Sequence, residues 1–178
     1  MTGVQTCALP ISFRRSVWES LGGYPEWLDY CEDLLFDMRL RARGYRVAFE
    51  ARALVAFRPR SSLKAFALQY FRYARGDGKA GILTKRHLIR YATYLVAALV
   101  PVTTGRLKVP VFAAASMAAI AYCGGPWRRL KRTQGGRPAG QLLMAMALVP
   151  WLRLTGDLAK MLGFPVGVRY RHRHGEGD

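Results

Sequence analysis

The sequence predicts an α/β region, mostly helical with two to three short strands, followed by membrane or interfacial helices. Three observations lead to this prediction. Short segments in the first half carry apolar residues at alternating or helical spacing. An amphipathic segment rich in aromatic and basic residues follows a proline at position 59. Beyond it, cationic segments separate apolar ones: residues 88–178 contain 13 Lys or Arg and only 3 Asp or Glu. That pattern is typical of membrane proteins.

The charge of the chain narrows the classes of partner. The 178 residues carry a net charge of +17, which fits nucleic acid, an anionic membrane surface or phosphorylated ligands. The sequence contains no zinc-finger spacing, ribonucleoprotein aromatic motif or helix-turn-helix pattern, and its basic residues are interleaved with apolar runs. We therefore expect membrane lipids, and no nucleic acid, as partners. Cys7, Cys31 and Cys123 lack metal-ligand spacing and predict unpaired thiols in a reducing compartment.

Residues 1–11 differ from the rest of the chain. They lack the basic start and long apolar core of a signal peptide. They resemble the translation of a common sequencing adaptor, so we expect a non-native segment with the native sequence starting near Ser12. The alternative is an ordinary strand and turn. In residues 12–28 we predict a strand remnant at Ser12 to Arg14, a short helix over Arg15 to Leu21, and a turn at the two glycines that follow.

Residues 29–44 predict one helix with both ends encoded in the sequence. Asp29 is the predicted N-cap, and Glu32 completes a pair that resembles a capping box. Asp33 adds a second acid to the first turn, where the helix dipole favours negative charge. Gly44 supplies the left-handed residue that ends the helix. The predicted apolar face consists of Leu34, Leu35, Met38 and Ala42.

The two adjacent acids have two interpretations. They complement the helix dipole and do nothing more, or one of them is a general base. The flanking sequence reads FRRSVWESLGGYPE upstream of the Glu-Asp pair and RLRARGYRVAF downstream. This order resembles the C-terminal half of the catalytic domain in family-2 glycosyltransferases, which are inverting enzymes of the GT-A type.

The resemblance assigns roles to particular residues. It implies that Asp33 is the catalytic base with Glu32 beside it, and that Gly22, Gly23 and Tyr24 line the acceptor side. The chemistry is consistent with this, because an inverting transfer needs one carboxylate to deprotonate the acceptor hydroxyl as it attacks the anomeric carbon.

Two further strands are predicted after the central helix. Tyr45 to Glu50 alternates apolar and polar residues, as expected for a strand with one buried face. Ala53 to Phe57 is a second short apolar strand, and Pro59 ends it because proline cannot continue a ladder.

The next segment predicts a cationic amphipathic helix of the kind that lies in a membrane interface. Ser61 or Ser62 is its predicted cap. Within it, Gln69-Tyr70-Phe71-Arg72-Tyr73 is similar to the Gln-x-x-Arg-Trp motif of processive family members, with Tyr73 in place of Trp. The resemblance implies that Gln69, Arg72 and Tyr73 face the donor diphosphate, to which a guanidinium can donate two parallel hydrogen bonds. The alternative is that Gln69 and Arg72 lie on the polar face and contact water. The apolar face is predicted to consist of Leu63, Phe66, Ala67, Tyr70, Phe71 and Ala74.

The remaining residues predict a membrane region. Arg75 to Lys79 is interpreted as a flexible basic hinge, since it lacks the P-loop spacing. Leu88 to Thr104 and Val109 to Cys123 are apolar stretches slightly short of a full span, and a buried soluble hairpin is the alternative. Gly124 to Pro138 predicts a basic cytoplasmic loop. Gln141 to Leu154 predicts a partial or re-entrant segment, followed by a solvated basic tail that includes His172 and His174.

These predictions divide the chain at residues 11, 60 and 87. Residues 12–60 are the expected C-terminal part of a catalytic domain, 61–87 the interfacial helix and hinge, and 88–178 the membrane region. We expect a bacterial, hexosyltransferase-like enzyme at the cell inner (cytoplasmic) membrane, with its catalytic part facing the cytoplasm. It would use a nucleotide-sugar donor and a glycan or lipid-linked acceptor.

The resemblance also implies a divalent metal, Mg or Mn, in a full-length parent. Its Asp-x-Asp-type ligands do not occur in this sequence. We therefore expect a truncated chain that is inactive alone. The alternative function is a non-catalytic basic membrane protein that binds anionic lipid.

Overall fold

The computed structural model describes residues 12–50, 52, 59–99, 105, 108–133 and 138–175. Within these ranges the chain forms six helices and no strand. The helices are α1 (Arg15–Ser20), α2 (Glu32–Ala42), α3 (Leu63–Ala80), α4 (Thr84–Leu99), α5 (Lys108–Arg132) and α6 (Ala139–His174). The short helix predicted after Arg14 is confirmed as α1.

A small core centred on Phe36 joins α1 to α2. Phe36 is fully buried, Leu21 and Leu40 are buried beside it, and Phe13 and Val17 pack against this group. The predicted apolar face of α2 was therefore wrong. Met38 and Ala42 are exposed, and Leu34 and Leu35 are only half-buried. Phe36 and Leu40 make the core contact because they are four residues apart and share the face that meets α1.

The two ends of α2 differ in how well the sequence predicted them. The predicted cap was wrong: α2 begins after Cys31, whose φ is 69°, and it has no side-chain cap. The predicted end was right. Gly44 has a φ of 81°, and the N–H groups of Gly44 and Tyr45 donate to the carbonyl oxygens of Arg41 and Leu40. This pair of hydrogen bonds is a Schellman motif.

The described residues bear out none of the predicted strands. Residues 45–50 and 12–14 are irregular, and the second predicted strand at 53–57 lies outside the described residues. Tyr45, Val47 and Phe49 are 42%, 46% and 90% exposed. An alternating pattern alone does not make a strand, because the backbone groups need a neighbouring strand with which to pair.

α3 is longer than predicted. Ser62 Oγ accepts a hydrogen bond from Ala65 N at 3.2 Å, which confirms the predicted cap. The predicted hinge at Arg75 to Lys79 was wrong, because this segment continues the helix to Ala80. Gly76 and Gly78 serve close packing instead. A Cβ at Gly76 would collide with the carbonyl oxygen of Tyr30, and one at Gly78 with that of Phe164.

α6 is one continuous helix of 36 residues. This helix contains the segment predicted as partial or re-entrant, which therefore does not turn back within the described residues. It also contains the basic tail, whose His172 and His174 are exposed as predicted for a solvated tail. The C-terminal half of α6 packs against α3, with Gly163 against the backbone of Phe71 and Gly167 against that of Arg75. Phe66 and Tyr70 of the predicted apolar face of α3 also lie against Gly156 of α6, whereas Leu63, which was predicted on the same face, is exposed.

Two of the described helices are long and apolar enough to cross a membrane, by length and composition alone. They are Val109–Arg132 and Ala139–His174, whose most apolar windows are only 6% and 22% buried inside the protein. α5 contacts the first half of α6, where Trp127 Nε1 donates to the carbonyl oxygen of Met146 at 2.9 Å.

Candidate functional site

The glycine turn after α1 places Tyr24 against the core of the α1–α2 unit. Gly22 and Gly23 have φ angles of 76° and 70°, as predicted. A Cβ at Gly23 would lie 2.6 Å from the ring of Trp18, so this turn requires glycine both for its conformation and for the space. The Tyr24 ring packs edge-on against Phe36 with 5.1 Å between ring centroids.

Tyr24 shares an electrostatic environment with the two acids of α2. Burial, and then the negative charges of Asp33 and Glu32, raise the pKa of the Tyr24 hydroxyl. The hydroxyl therefore stays protonated and remains a hydrogen-bond donor. Asp33 is half-buried and its Oδ1 accepts a hydrogen bond from Leu34 N at 2.7 Å. The structure thus brings together the predicted base, its neighbouring acid and the predicted acceptor-side tyrosine.

The segment before α2 docks onto α3. Asp29 forms ion pairs with Arg75 and, at 2.7 Å, with Lys79. Burial opposes ionisation of this carboxyl, but the Lys79 hydrogen bond and the positive charges of Arg75 and Lys79 lower its pKa. Cys31 Sγ donates to the carbonyl oxygen of Tyr73 at 3.4 Å. The start of α2 is therefore fixed on α3 by charge and by close backbone packing.

The second predicted group lies on α3 beside this junction. Arg72 Nη1 donates to the Tyr30 hydroxyl at 2.9 Å, and its guanidinium carbon lies 5.5 Å from the centroid of the Tyr30 ring. Gln69 Nε2 donates to the Tyr73 hydroxyl, and Gln69 Oε1 accepts from Arg60 Nε at 3.2 Å. Tyr30 thus stands between the predicted diphosphate ligands and the first turn of α2.

A second polar cluster was missed by the sequence reasoning. Asp157 of α6 accepts hydrogen bonds from Arg90 at 2.9 Å, from Tyr94 at 3.1 Å and from Tyr122. Buried His87 and Asp77 extend the cluster, with His87 Nε2 2.9 Å from Asp77 and His87 Nδ1 3.1 Å from Arg90. Since a guanidinium only donates, Nδ1 accepts and Nε2 carries the hydrogen that Asp77 accepts. One signal was available: Asp157 is the single acid among residues 88–175, and an acid in an apolar region usually has a partner.

The residues described here do not fit the divalent metal that the resemblance implies. Across the described ranges, no group of three or more His, Cys, Asp or Glu residues could hold a metal ion. His172 and His174 lie on the last turn of α6, and His174 Nδ1 is 2.9 Å from the carbonyl oxygen of Tyr170. No chemical step is therefore assigned to a metal on this chain.

Comparison with known proteins gives two partial matches. The chain is similar to the succinoglycan biosynthesis protein ExoA of Rhizobium meliloti (strain 1021), with 32% identity over 94 residues, which are 53% of this chain and 28% of ExoA. It is also similar to the O-antigen chain rhamnosyltransferase WbaN of Salmonella anatum, with 41% identity over 56 residues, which are 30% of this chain and 18% of WbaN.

The chain is related to glycosyltransferases. It matches less than a third of the length of ExoA and of WbaN. No protein-family model and no solved structure matches the chain. The expected relationship is therefore confirmed at the level of glycosyltransferases, while the assignment to family 2, the GT-A fold and the roles of individual residues stay predictions.

Proposed function

We propose that this chain is the acceptor-side part of a membrane-bound family-2 glycosyltransferase. The enzyme would transfer a sugar with inversion from a nucleotide-diphospho-sugar to a hydroxyl of a glycan or lipid-linked acceptor. The observation that carries the proposal is the grouping of Tyr24 with Glu32 and Asp33, next to a junction where Tyr30 contacts Arg72. The similarity to WbaN, a rhamnosyltransferase by name, supports the reaction class.

In the proposed reaction Asp33 removes the proton of the acceptor hydroxyl. The oxygen then attacks the anomeric carbon of the donor, and the bond from that carbon to the diphosphate oxygen breaks with its electron pair. Arg72 is the proposed partner of the negative charge on the departing diphosphate, because a guanidinium donates to two oxygens at once. The Tyr24 hydroxyl, whose pKa is raised by burial and by the two acids, donates to the acceptor and orients it.

The proposal includes the expectation that this chain has no transferase activity by itself. The sequence contains no Asp-x-Asp motif, and in the family that the chain resembles this motif binds the metal on the donor side. Magnesium or manganese would then be held by residues outside this chain. Sugar transfer by the purified 178-residue chain above a buffer control would contradict this part of the proposal.

The role of Asp33 is tested by Asp33→Asn in an active, longer protein that contains this sequence. At saturating donor, we expect the turnover rate to fall about 100- to 10,000-fold, because a base acts on the acceptor proton in the transition state. Donor affinity should stay within about threefold of the parent, since that proton is not involved in binding the ground state. Glu32→Gln should cost less, because its carboxylate shapes the field without taking the proton.

Asp37→Asn provides the matched control. Asp37 is an acid of the same helix that pairs with Arg41 at 3.1 Å, so the variant makes the same chemical change one turn away. We expect its rate within about threefold of the parent, well short of the loss that accompanies removal of a base. If Asp33→Asn retains more than about a tenth of the parental rate, Asp33 is not the base, and the acids of α2 only complement its dipole.

A further inference from the structure

An open groove runs between the middle of α4 and the end of α6. Its volume is about 490 Å³. The floor is apolar and is formed by Tyr91, Phe164 and Val168. The basic side chains of Arg169 and Arg173 line its basic end, toward the C-terminus of α6, with His172 between them in sequence. None of these residues belongs to the proposed catalytic site.

The floor is held in place by contacts made outside the groove. The Tyr91 hydroxyl donates to the carbonyl oxygen of Met161 at 2.6 Å, so its polar atom is satisfied and its ring remains as apolar surface. Phe164 is buried and stacks on His87 with 4.1 Å between ring centroids. A groove whose walls are fixed in this way is preformed, which reduces the entropy that a ligand would have to lose on binding.

The basic end lacks a counter-charge from the protein. Arg169 and Arg173 are exposed and one helical turn apart, and among the described residues neither has a carboxylate partner. Like charges four residues apart destabilise a helix by themselves. An anion between the two guanidinium groups would remove this repulsion and accept charge-assisted hydrogen bonds from both.

We propose that the groove binds an anionic phospholipid of the membrane. The phosphate lies between Arg169 and Arg173, and an acyl chain follows the floor along Val168, Phe164 and Tyr91. The groove requires both parts of such a molecule, since a free phosphate leaves the apolar floor uncovered. The source of the lipid is the bilayer around α6, one of the two helices that are long and apolar enough to cross it. This site does not depend on glycosyl transfer.

The test is native mass spectrometry of the full chain in detergent, titrated with phosphatidylglycerol or with phosphatidylcholine. We expect phosphatidylglycerol to be retained and phosphatidylcholine to be lost. The double variant Arg169→Gln/Arg173→Gln should lower affinity for phosphatidylglycerol roughly 30-fold, because both guanidinium groups lose their charge-assisted hydrogen bonds to the bound phosphate. Both positions are exposed, so the fold should survive, as far-UV circular dichroism would verify.

The matched control is Arg128→Gln/Arg132→Gln on α5. These arginines are also exposed and one helical turn apart, and replacing them removes the same amount of charge outside the groove. The control should stay within about threefold of the parent, because an unspecific charge effect is diffuse. An equal loss in both double variants would mean diffuse attraction and overturn the site.

A third variant separates the apolar floor from the charges. Val168→Trp fills the floor without altering either arginine, and it should displace the acyl chain and weaken phosphatidylglycerol binding. Unchanged binding in this variant would overturn the proposed position of the lipid. Displacement of phosphatidylglycerol by inorganic phosphate alone would identify a phosphate site instead and would equally overturn the proposal.

Discussion

At the scale of single residues, Asp29 shows how a side chain with a plausible local role is used elsewhere. Its position before α2 suits a helix cap, yet its carboxylate pairs with Arg75 and Lys79 of α3. Cys31 then begins the helix in a left-handed conformation that non-glycine residues seldom adopt. The ion pairs and the close packing of Tyr30 on Gly76 hold this conformation.

Asp29→Asn is therefore expected to loosen the contact between α2 and α3. The carboxylate is 44% exposed, so solvent screening limits its contribution to about 1 kcal/mol. Because its pKa is lowered in the folded protein, this stability is present above the ordinary carboxyl pKa of about 4 and is lost as the pH falls through the lowered value.

The measurement compares the melting temperatures of parent and Asp29→Asn in detergent. The parent should melt higher at about pH 6, and the difference should shrink as the pH falls below the ordinary carboxyl pKa of about 4 and the Asp29 carboxylate takes up a proton. Taking the difference removes the effect of the other carboxyls that titrate in the same range. If the difference in melting temperature persists unchanged at acidic pH, the shape of the Asp29 side chain causes it and its charge does not.

The candidate site was predictable where its residues are close in sequence and not where they are distant. Tyr24, Glu32 and Asp33 lie within ten residues of one another, and the glycine turn that precedes Tyr24 has a local signature. The contact between Arg72 and Tyr30 links residues 42 positions apart. No local pattern of charge or hydrophobicity specifies such a pairing, because it depends on how α3 lies on the rest of the molecule.

At the scale of elements, glycines determine how α3 and α6 pack. Gly163 and Gly167 of α6 face the backbone of α3, and Gly78 of α3 faces the backbone of α6. The two helices run in the same direction, since Phe66 lies near Gly156 and Arg75 near Gly167. Small residues allow two helix backbones to approach closely and to gain dispersion contacts, as in membrane helix pairs.

Gly163→Ala should therefore destabilise the protein, although alanine is the better helix former. The new methyl group would collide with the carbonyl oxygen of Phe71, a backbone atom that cannot move without shifting α3. Overpacking of this kind typically costs about 1–3 kcal/mol. Thermal unfolding in detergent, followed by circular dichroism, measures the loss.

Gly124→Ala is the control for the same substitution inside a helix. Gly124 lies within α5, and nothing is within 4 Å of the position that its Cβ would take. This variant should be neutral or more stable by up to about 1 kcal/mol, because alanine loses less backbone entropy than glycine. Equal effects at the two positions would mean that helix propensity, and not the contact with α3, decides the outcome.

The errors in the predicted elements share one physical cause. The start of α3 at Ser62 and the end of α2 at Gly44 were predicted correctly because caps depend on neighbouring residues. The glycines of residues 75–79 were interpreted as a hinge, and the alternating residues 45–50 as a strand. Whether a glycine gives flexibility or close contact, and whether an extended segment joins a sheet, is decided by a partner element that the local sequence does not contain.

At the scale of the whole molecule, α6 connects two regions of different character. Trp127 at the basic end of α5 contacts Met146, near the start of α6. α3, which carries the junction with α2, packs farther along α6 at Gly163 and Gly167. Met146 and Gly167 are 21 residues apart in α6. That separation corresponds to about 30 Å along the helix, which equals the hydrocarbon thickness of a bilayer.

This separation bears on the predicted orientation. The prediction of a loop at Gly124 to Pro138 was wrong as far as Arg132, because these residues belong to α5. The basic end of α5 and the candidate catalytic part lie on the same cytoplasmic side only if α5 and the first half of α6 do not cross the bilayer. The side of α3 is the richer in basic residues near the apolar helices, and cytoplasmic segments carry the excess of Lys and Arg. The basic residues on the side of α3 include Lys64, Arg72, Arg75, Lys79, Lys85, Arg86, Arg169, Arg171 and Arg173. Those at the end of α5 are Arg128, Arg129, Lys131 and Arg132.

We therefore predict that the chain resists carbonate extraction and that α3 and the basic end of α5 face opposite sides of the membrane. Lys64→Cys and Lys131→Cys, both at exposed positions, report the two sides in a cysteine-free background. An impermeant maleimide should label the Cys at position 131 in intact cells and the Cys at position 64 only in inverted vesicles. The physical reason is that α5 and α6 each expose an apolar surface long enough to span the bilayer.

Labelling of both positions only in inverted vesicles would show that the two helices enter the membrane without crossing it, and the basic end of α5 would then be cytoplasmic. Release of the chain by carbonate would contradict the membrane assignment itself.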